Sequence, residues 1–356
     1  MEKIKIAIWG FGAMGSGMAR MLLNKKGVEI VAVCDLAQDR VGRSMFDILG
    51  EEQRVHPDVV VMDDPEDVFQ EGVADVLLLA TDSFTHSAFD KVVLGLKRRM
   101  NVISTAEEMA FPKIQEPELA EQLDEIAQQY GVSVLGTGIN PGFVLDYLVL
   151  ALTGTCETVD HIKAVRVNDL SPFGATVMRE QGVGTTIDAF NKGVEIGTIS
   201  GHVGFPESIG MIAEGLGWDL EKVSESREAI VSNVHREAPF AEVSAGDVAG
   251  CRQRGEGYVD GEAKIEMEHP QQIMPQVEGI ETGDVIEIRG TPDISMKIGP
   301  EIPGGIGTIA MCVNMIPQVI NSDPGLRTML DLPVPRAIMG DFRDQVRAEK
   351  RLKTTA

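Results

Sequence analysis

Cysteine is scarce in this chain of 356 residues, and the four cysteines are far apart. They are Cys34, Cys156, Cys251 and Cys312, and no two of them form a CxxC pair. This spacing suggests neither a disulfide framework nor a zinc site, so we expect no metal centre. Four unpaired thiols are typical of a protein that stays reduced in the cytoplasm.

Positive charge and long apolar runs are also scarce. The chain has 32 Lys plus Arg against 55 Asp plus Glu, a net charge of −23. Such a surface repels a phosphate backbone, so a nucleic-acid partner is not expected. The apolar stretches at 73–80 and 144–152 are much shorter than the roughly 18 residues of a membrane helix, so no membrane span is expected either. A hydrophobic content of 43% nevertheless predicts a well-packed core.

The first 140 residues alternate apolar strands with helical segments. The segment Ala74–Ala80 is apolar almost throughout, as is typical of a parallel strand covered on both faces. Six strands and the helices between them predict an α/β Rossmann domain with a doubly wound parallel sheet. The predicted strands are Lys3–Trp9, Val28–Cys34, Asp58–Met62, Ala74–Ala80, Asn101–Thr105 and Val132–Leu135.

After Pro141 the pattern changes to long segments in which polar and apolar residues alternate. The clearest is Val159–Asn168, and others lie near 241–249, 257–267 and 284–288. Alternation predicts a mostly antiparallel sheet with one covered face, and hence a second, α+β domain at residues 141–303. The first domain is thus predicted at residues 1–140, and the helical segment that begins at Gly304 could pack on either domain.

A glycine-rich turn follows the first predicted strand and opens a helix. It reads Gly10, Phe11, Gly12, Ala13, Met14, Gly15, and Asp35 stands 20 residues past the last glycine. This context predicts a dinucleotide site in which the helix N-terminus binds the pyrophosphate and Asp35 binds the adenosine ribose. An acid at this position favours NAD, whereas Arg40 leaves NADP open.

Other candidate residues lie where later strands end. Ala80, Thr81, Ser104 and Thr105 fall at the carboxyl edge of the sheet, where we expect them to line the nicotinamide. Glu107 and Glu108 follow directly, and either could move protons; acids that only favour a helix start are the alternative.

Polar residues also mark the second domain. Arg166 and Asn168 share one face of a strand, and with His202 they are suited to bind a substrate carboxylate. A solvated strand face or an internal ion pair would explain the same residues.

Taken together, the motifs resemble those of the 2,4-diaminopentanoate dehydrogenases and related native amine dehydrogenases, and more distantly dihydrodipicolinate reductase. The segments are WGFGAMGSGMAR (9–20), STAEEMAFP (104–112), GTGINPGFV (136–144), VRVND (165–169), GHVGFPES (201–208) and the tail from Asn314.

The resemblance implies NAD(P)-dependent oxidative deamination of 2,4-diaminopentanoate at C4, reversible as reductive amination of a ketone with ammonia. It also implies that residues 304–356 complete the first domain and that a homodimer forms through the central domain. A catalytic carboxylate at Glu107 or Glu108 is implied too, with a substrate site lined by Asn140, Arg166, Asn168 and His202. Two other interpretations are a reductase of the dihydrodipicolinate type and a non-catalytic NAD(H) sensor.

Overall fold

Strands with almost no polar interruption need cover on both faces, and strands that alternate need it on one. Both kinds occur in the computed structural model, which describes residues 2–51 and 56–351. The chain divides into two units. The first is Met1–Phe143 with Gly304–Ala356, and the second is Val144–Pro303.

Fourteen labelled strands and twelve labelled helices occur in the described ranges. The strands are β1 Ile4–Trp9, β2 Val28–Cys34, β3 Val76–Leu79, β4 Asn101–Ser104, β5 Ser133–Gly136, β6 Thr158–Asp169, β7 Lys222–Val231, β8 Arg236–Ala238, β9 Ala241–Val243, β10 Val248–Val259, β11 Glu262–Gln272, β12 Gly283–Thr291, β13 Ile294–Ile298 and β14 Gly325–Arg327. The helices are α1 Ala13–Leu23, α2 Met45–Leu49, α3 Pro65–Val68, α4 Thr85–Lys97, α5 Pro117–Tyr130, α6 Tyr147–Thr153, α7 Ala175–Glu180, α8 Ile187–Glu195, α9 Phe205–Leu216, α10 Gly304–Asn314, α11 Ile316–Asn321 and α12 Ala348–Arg351.

The sheet of the first unit is wholly parallel, in the order β14-β5-β4-β3-β1-β2. Its central strands are buried, and Ile6, Ala7 and Ile8 are inaccessible to solvent. This is the predicted doubly wound Rossmann sheet. The C-terminal segment adds the edge strand β14 and the helix α10, which packs on α1 so that Ile309 lies against Gly17.

One predicted strand of this sheet is wrong. Residues 58–62 form only isolated bridges, Ser44 with Val60 and Cys34 with Met62, and the sixth strand is β14 instead. The apolar run is only three valines long and lies between Pro57-Asp58 and Met62-Asp63-Asp64, so too few residues are available to extend a ladder.

The second unit contains a mixed sheet in the order β13-β12-β6-β11-β10-β7. All neighbours are antiparallel except β6 and β11, which confirms the prediction of a mostly antiparallel sheet. Two predicted segments were placed wrongly. The segment 257–267 contains the turn at Asp260-Gly261 between β10 and β11, and 241–249 contains β9 and the start of β10.

Helix α9 covers one face of this second sheet. Phe205 and Ile209 of α9 lie against Gly255 and Gly257 of β10. The odd-numbered residues of β10 therefore share the covered face, and the even-numbered ones, from Arg252 to Tyr258, lie on the opposite, partly exposed face. None of the helices in residues 2–51 and 56–351 is long and apolar enough to cross a membrane.

Candidate active site

The glycine turn of the first unit connects β1 to α1 in a space that admits no side chain at two of its glycines. Gly10 has a φ of +89°, and a Cβ there would lie 2.5 Å from the carbonyl oxygen of Ala80. A Cβ on Gly15 would lie 1.8 Å from the carbonyl oxygen of Gly10. Phe11 is buried, while Gly12, Ala13 and Met14 are at least partly accessible at the start of α1. A turn built this closely, at a helix N-terminus, fits a pyrophosphate.

Asp35 lies at the end of β2, beside this turn, and both of its carboxylate oxygens are engaged. The N–H of Phe11 donates to Oδ2 at 2.5 Å and that of Ala37 to Oδ1 at 2.7 Å. Burial raises the pKa of Asp35, but these two N–H groups and Arg40 outweigh it and lower the pKa below its ordinary value. Asp35 is therefore a fixed negative charge at the place where an adenosine ribose would bind.

Arg40 forms an ion pair with Asp35. It lies in a turn, and its Nη1 is 3.0 Å from Oδ2 of Asp35. A Cβ built on Gly12 would lie 3.7 Å from the same nitrogen. Its positive charge thus lies within the candidate nucleotide site.

The next strands deliver the other candidate nicotinamide residues to the same sheet edge. Thr81 contacts the Gly10 position, and the N–H of Ala80 donates to the carbonyl of Trp9 at 2.8 Å. Thr105 continues β4, with its N–H donating to Leu79 at 3.0 Å. Ser104 is only 1% exposed, and its hydroxyl accepts from the N–H of Ala106. Its side chain therefore serves the local fold.

The paired carboxylates have different surroundings. Glu108 is buried, and its Oε2 accepts the N–H of Thr85 at 2.7 Å, at the first residue of α4. It therefore caps a neighbouring helix, which the sequence did not predict. Glu107 is partly exposed in the same short 3₁₀ turn, residues 107–110. Among the described residues, one group of three potential metal ligands has its ligand atoms within 4.8 Å of one another. It consists of His86, Glu108 and Glu116.

Asn140 is buried in the loop that follows β5 and belongs to the first unit. Arg166, Asn168 and His202 belong to the second unit.

Arg166 is buried in the middle of the second sheet. Its Nη1 lies 2.5 Å from Oδ1 of Asp284 on β12, and its Nη2 donates to the carbonyl of Ile302 at 2.5 Å. Asp284 also accepts the N–H of Ile302 at 3.1 Å. Because Arg166 and Asn168 are only 2% and 5% exposed, the solvated strand face is excluded. The internal ion pair is present, and it leaves Arg166 further N–H donors.

A polar row crosses the buried face of this sheet. We use this name for Asp284, Arg166, His269 and Gln253, which lie on the adjacent strands β12, β6, β11 and β10. Next to the row, Asn168 of β6 pairs with Gln271 of β11. Within the described part of the chain, both ring nitrogens of His269, Oδ1 of Asn168 and Nε2 of Gln271 have no hydrogen-bond partner. Buried polar atoms are almost always paired, so these four atoms are available to a polar ligand.

His202 lies over the polar row in the segment that precedes α9. Its ring is 4.9 Å from the ring of His269 and 5.7 Å from that of Phe205, both edge-on. Desolvation and the charges of Arg166 and Arg227 lower the pKa of His202 to about 3. Desolvation, His202 and Arg166 lower that of His269 well below its ordinary value. Both histidines are therefore neutral near pH 7 and can donate or accept hydrogen bonds.

Asp284, His269, Gln253 and Gln271 were not recognised from the sequence. Alternation along β11 offered a signal, because His269 and Gln271 continue the buried face of Ile265 and Met267. A polar residue where the pattern requires an apolar one indicates either a satisfied network or a binding site.

These two units define a class of protein. A glycine turn at a helix N-terminus with an acid after the second strand is the nucleotide site of a Rossmann dehydrogenase. A second unit with a buried, incompletely paired polar face fits the substrate unit of such an enzyme.

Comparisons with known proteins specify the family. Residues 143–348, more than half of the chain, match the model of the 2,4-diaminopentanoate dehydrogenase C-terminal domain, and residues 4–108 match that of the dihydrodipicolinate reductase N-terminus. The chain is 58% identical to a 2,4-diaminopentanoate dehydrogenase of Acetoanaerobium sticklandii, over 99% of each chain. It therefore belongs to the 2,4-diaminopentanoate dehydrogenase family, and it is an NAD(P)-dependent oxidoreductase that acts on amines.

Two further relatives agree. An amine dehydrogenase of Streptomyces virginiae is 26% identical over 94% of this chain and 98% of its own. The solved structure of an amine dehydrogenase from Mycobacterium smegmatis superposes with a TM-score of 0.84 at 25% identity, covering 95% of this chain and 98% of that one. The resemblance noted in the sequence is thus confirmed.

The low pKa of His269 predicts a pH dependence of stability. His269 titrates near pH 6.5 in the unfolded chain but well below that in the folded protein, so below pH 6.5 the unfolded state binds more protons. The free energy of unfolding is therefore highest above pH 6.5 and decreases as the pH falls. Between pH 7.5 and 5 the melting temperature of the wild type should therefore fall further than that of His269→Gln. Equal decreases in a thermal-melt series would show that His269 does not resist protonation.

Proposed function

We propose that this chain catalyses the NAD(P)-dependent oxidative deamination of 2,4-diaminopentanoate at C4. The products are 2-amino-4-oxopentanoate, ammonia and NAD(P)H, and the reverse reaction is the reductive amination of a ketone. The 58% identity to a relative that bears the name of this activity, over almost the whole of both chains, supports the substrate.

The observation that carries the proposal is the set of unpartnered polar atoms beside Arg166. A carboxylate oxygen would accept from the remaining N–H groups of Arg166 and from a neutral His269. An α-ammonium group would in turn find an acceptor in Oδ1 of Asn168. An amino acid carries both groups on one carbon, so the polar row suits its α-carbon end, with His202 as a further contact.

The chemistry at the other amine requires a group that moves protons. The bound nicotinamide would accept a hydride from the amine-bearing carbon, leaving an iminium that water attacks before ammonia departs. Glu107 is suited to take the proton of the attacking water and to hold the nitrogen, because it is partly exposed in the 3₁₀ turn. Glu108 is committed to the N-terminus of α4.

The two other interpretations have less support. The match to dihydrodipicolinate reductase ends at residue 108 and so falls within the nucleotide unit, which does not select the substrate. A sensor that only binds NAD(H) would not need the incompletely paired polar face of the second unit.

We further propose that the enzyme is a cytoplasmic homodimer. The described free cysteines, three of them buried, suit a reducing compartment. The face of the second sheet opposite the polar row is partly exposed and carries Val165, Val167 and Tyr258, which suits an interface between two copies. Light scattering on purified protein would test the dimer.

The direct test of the function is turnover. Purified protein with NAD and 2,4-diaminopentanoate should produce NADH and free ammonia in equal amounts. Pentan-2-amine, which has the reacting amine but no carboxylate, should react with a much lower kcat/KM. Cofactor binding without turnover of either amine would contradict the proposal and favour the sensor.

Replacing the two glutamates should separate their roles. Glu107→Gln should lower kcat by about 10² to 10⁴, because a positioned acid or base contributes that much to a rate. Glu108→Gln keeps an oxygen that can accept from Thr85 and should remain near the wild type in kcat, with a small loss of melting temperature. Steady-state kinetics and NADH binding of both variants provide the comparison; full activity of Glu107→Gln would refute its assignment.

Arg166→Met should raise KM for 2,4-diaminopentanoate by about 10- to 100-fold, since a hydrogen bond to a charged group is worth about 1.5 to 3 kcal/mol. KM for pentan-2-amine should change little. The variant also leaves Asp284 buried without its cation, at a cost of about 3–5 kcal/mol. Arg166→Met/Asp284→Asn is therefore the matched control, with recovered stability but no recovered affinity. Equal losses for both substrates would make Arg166 purely structural.

The Asp35–Arg40 pair predicts use of both cofactors, since Arg40 offsets the charge that would repel a 2′-phosphate. Asp35→Ser should raise the NADP to NAD ratio of kcat/KM, and Arg40→Leu should lower it. Initial rates with each cofactor measure the ratio. If neither substitution moves it, the pair does not set the cofactor preference.

A further inference from the structure

Gln253 lies in the middle of β10 and is fully buried. Its neighbours across the sheet are His269 on β11 and Arg227 on β7. Its side-chain amide forms two hydrogen bonds with the main chain of His202. Oε1 accepts the N–H of His202 at 2.6 Å, and Nε2 donates to its carbonyl at 2.8 Å. A side chain here provides the two hydrogen bonds that a paired strand would provide.

The orientation of this amide is fixed by a third contact. Nε2 also donates to Oε1 of Glu225 at 2.7 Å. Two acceptors, a carboxylate and a carbonyl, therefore face one end of the amide, and an N–H donor faces the other. Exchanging the nitrogen and the oxygen of Gln253 would break all three hydrogen bonds.

The segment held by Gln253 has no regular secondary structure of its own. It runs from 196 to 204, between α8 and α9. Arg227 fixes it at one further point, where Nε donates to the carbonyl of Ser200 at 2.5 Å. Gly201 has a φ of +70°, and a Cβ there would lie 2.3 Å from Oε1 of Gln253. Only glycine allows the chain to come this close to the amide.

These hydrogen bonds fix the main chain that carries the His202 ring. The ring itself contacts His269 and Phe205 edge-on. Because Gln253 and His269 are neighbours on adjacent strands, one sheet both offers His269 to the ligand and holds His202 above it.

We propose that Gln253 is a positioning residue that holds His202 over the polar row for binding of the substrate's α-amino-acid end. The inference rests on the proposed function, since it assumes that His202 contacts substrate. Gln253 itself acts only through the main chain of His202.

The test is a double-mutant cycle with Gln253→Leu, His202→Ala and the double variant. Gln253→Leu should raise KM for 2,4-diaminopentanoate about ten-fold, as expected for the loss of hydrogen bonds to two main-chain groups, with NADH binding unchanged. In the His202→Ala background it should raise KM no further, because the residue that it positions is gone.

Gln272→Leu is the matched control. Gln272 is a buried glutamine of the same sheet, but its Oε1 accepts from Arg236 rather than from the His202 segment. This variant should lower the melting temperature and leave KM unchanged. Gly201→Ala approaches the same contact from the other side and should reproduce the KM effect of Gln253→Leu, so the test does not depend on one variant folding.

The outcomes separate the two hypotheses. If His202→Ala leaves KM unchanged, the proposed substrate role of His202 is wrong. If His202→Ala raises KM but Gln253→Leu and Gly201→Ala do not, the positioning role of Gln253 is wrong. Additive effects in the double variant would also overturn it, because they would place the action of Gln253 elsewhere.

Discussion

The buried ion pair between Arg166 and Asp284 is the interaction on which the second unit depends. Two charges removed from water are tolerated only when they pair closely and their remaining groups are hydrogen-bonded, and here Ile302 provides both a carbonyl and an N–H to the pair. The positive charge of Arg166 helps to lower the pKa of His202 and of His269, so both stay neutral near pH 7. If a carboxylate binds there as proposed, a fixed guanidinium beside neutral imidazoles would meet it with little reorganisation cost.

In the first unit, the candidate nucleotide site is built mainly from backbone groups. Parallel strands bring their carboxyl ends to one edge, so residues from distant parts of the sequence such as Gly10, Asp35 and Thr81 meet there without any long side chain reaching across. The negative charge of Asp35 at this edge is paired with Arg40. Glu108 also connects separate parts of this unit, since its carboxylate caps the N-terminus of α4.

Much of this could be predicted because the information is local. The glycine turn, Asp35 and the buried strands follow from short patterns, and the α/β class is confirmed. Strand pairing is not local: β14 is a three-residue strand nearly 200 residues from its partner β5, and nothing at 325–327 indicates it. For the same reason Arg166 was recognised but Asp284, His269 and Gln253 were not, because the polar row exists only when four strands lie side by side. The strand predicted at 58–62 was wrong for the opposite reason: the local pattern is typical of a strand, but these residues form only isolated bridges.

The proposed function requires that the polar row bind the carboxylate of an amino-acid substrate. A crystal structure of the enzyme with NADH and 2-amino-4-oxopentanoate tests it most directly. We expect carboxylate oxygens within hydrogen-bond distance of Arg166 and His269, with both Oδ1 of Asn168 and Nε2 of Gln271 engaged by the ligand or by water that bridges to it. A product whose carboxylate lies elsewhere, with those atoms still unpartnered, would contradict it.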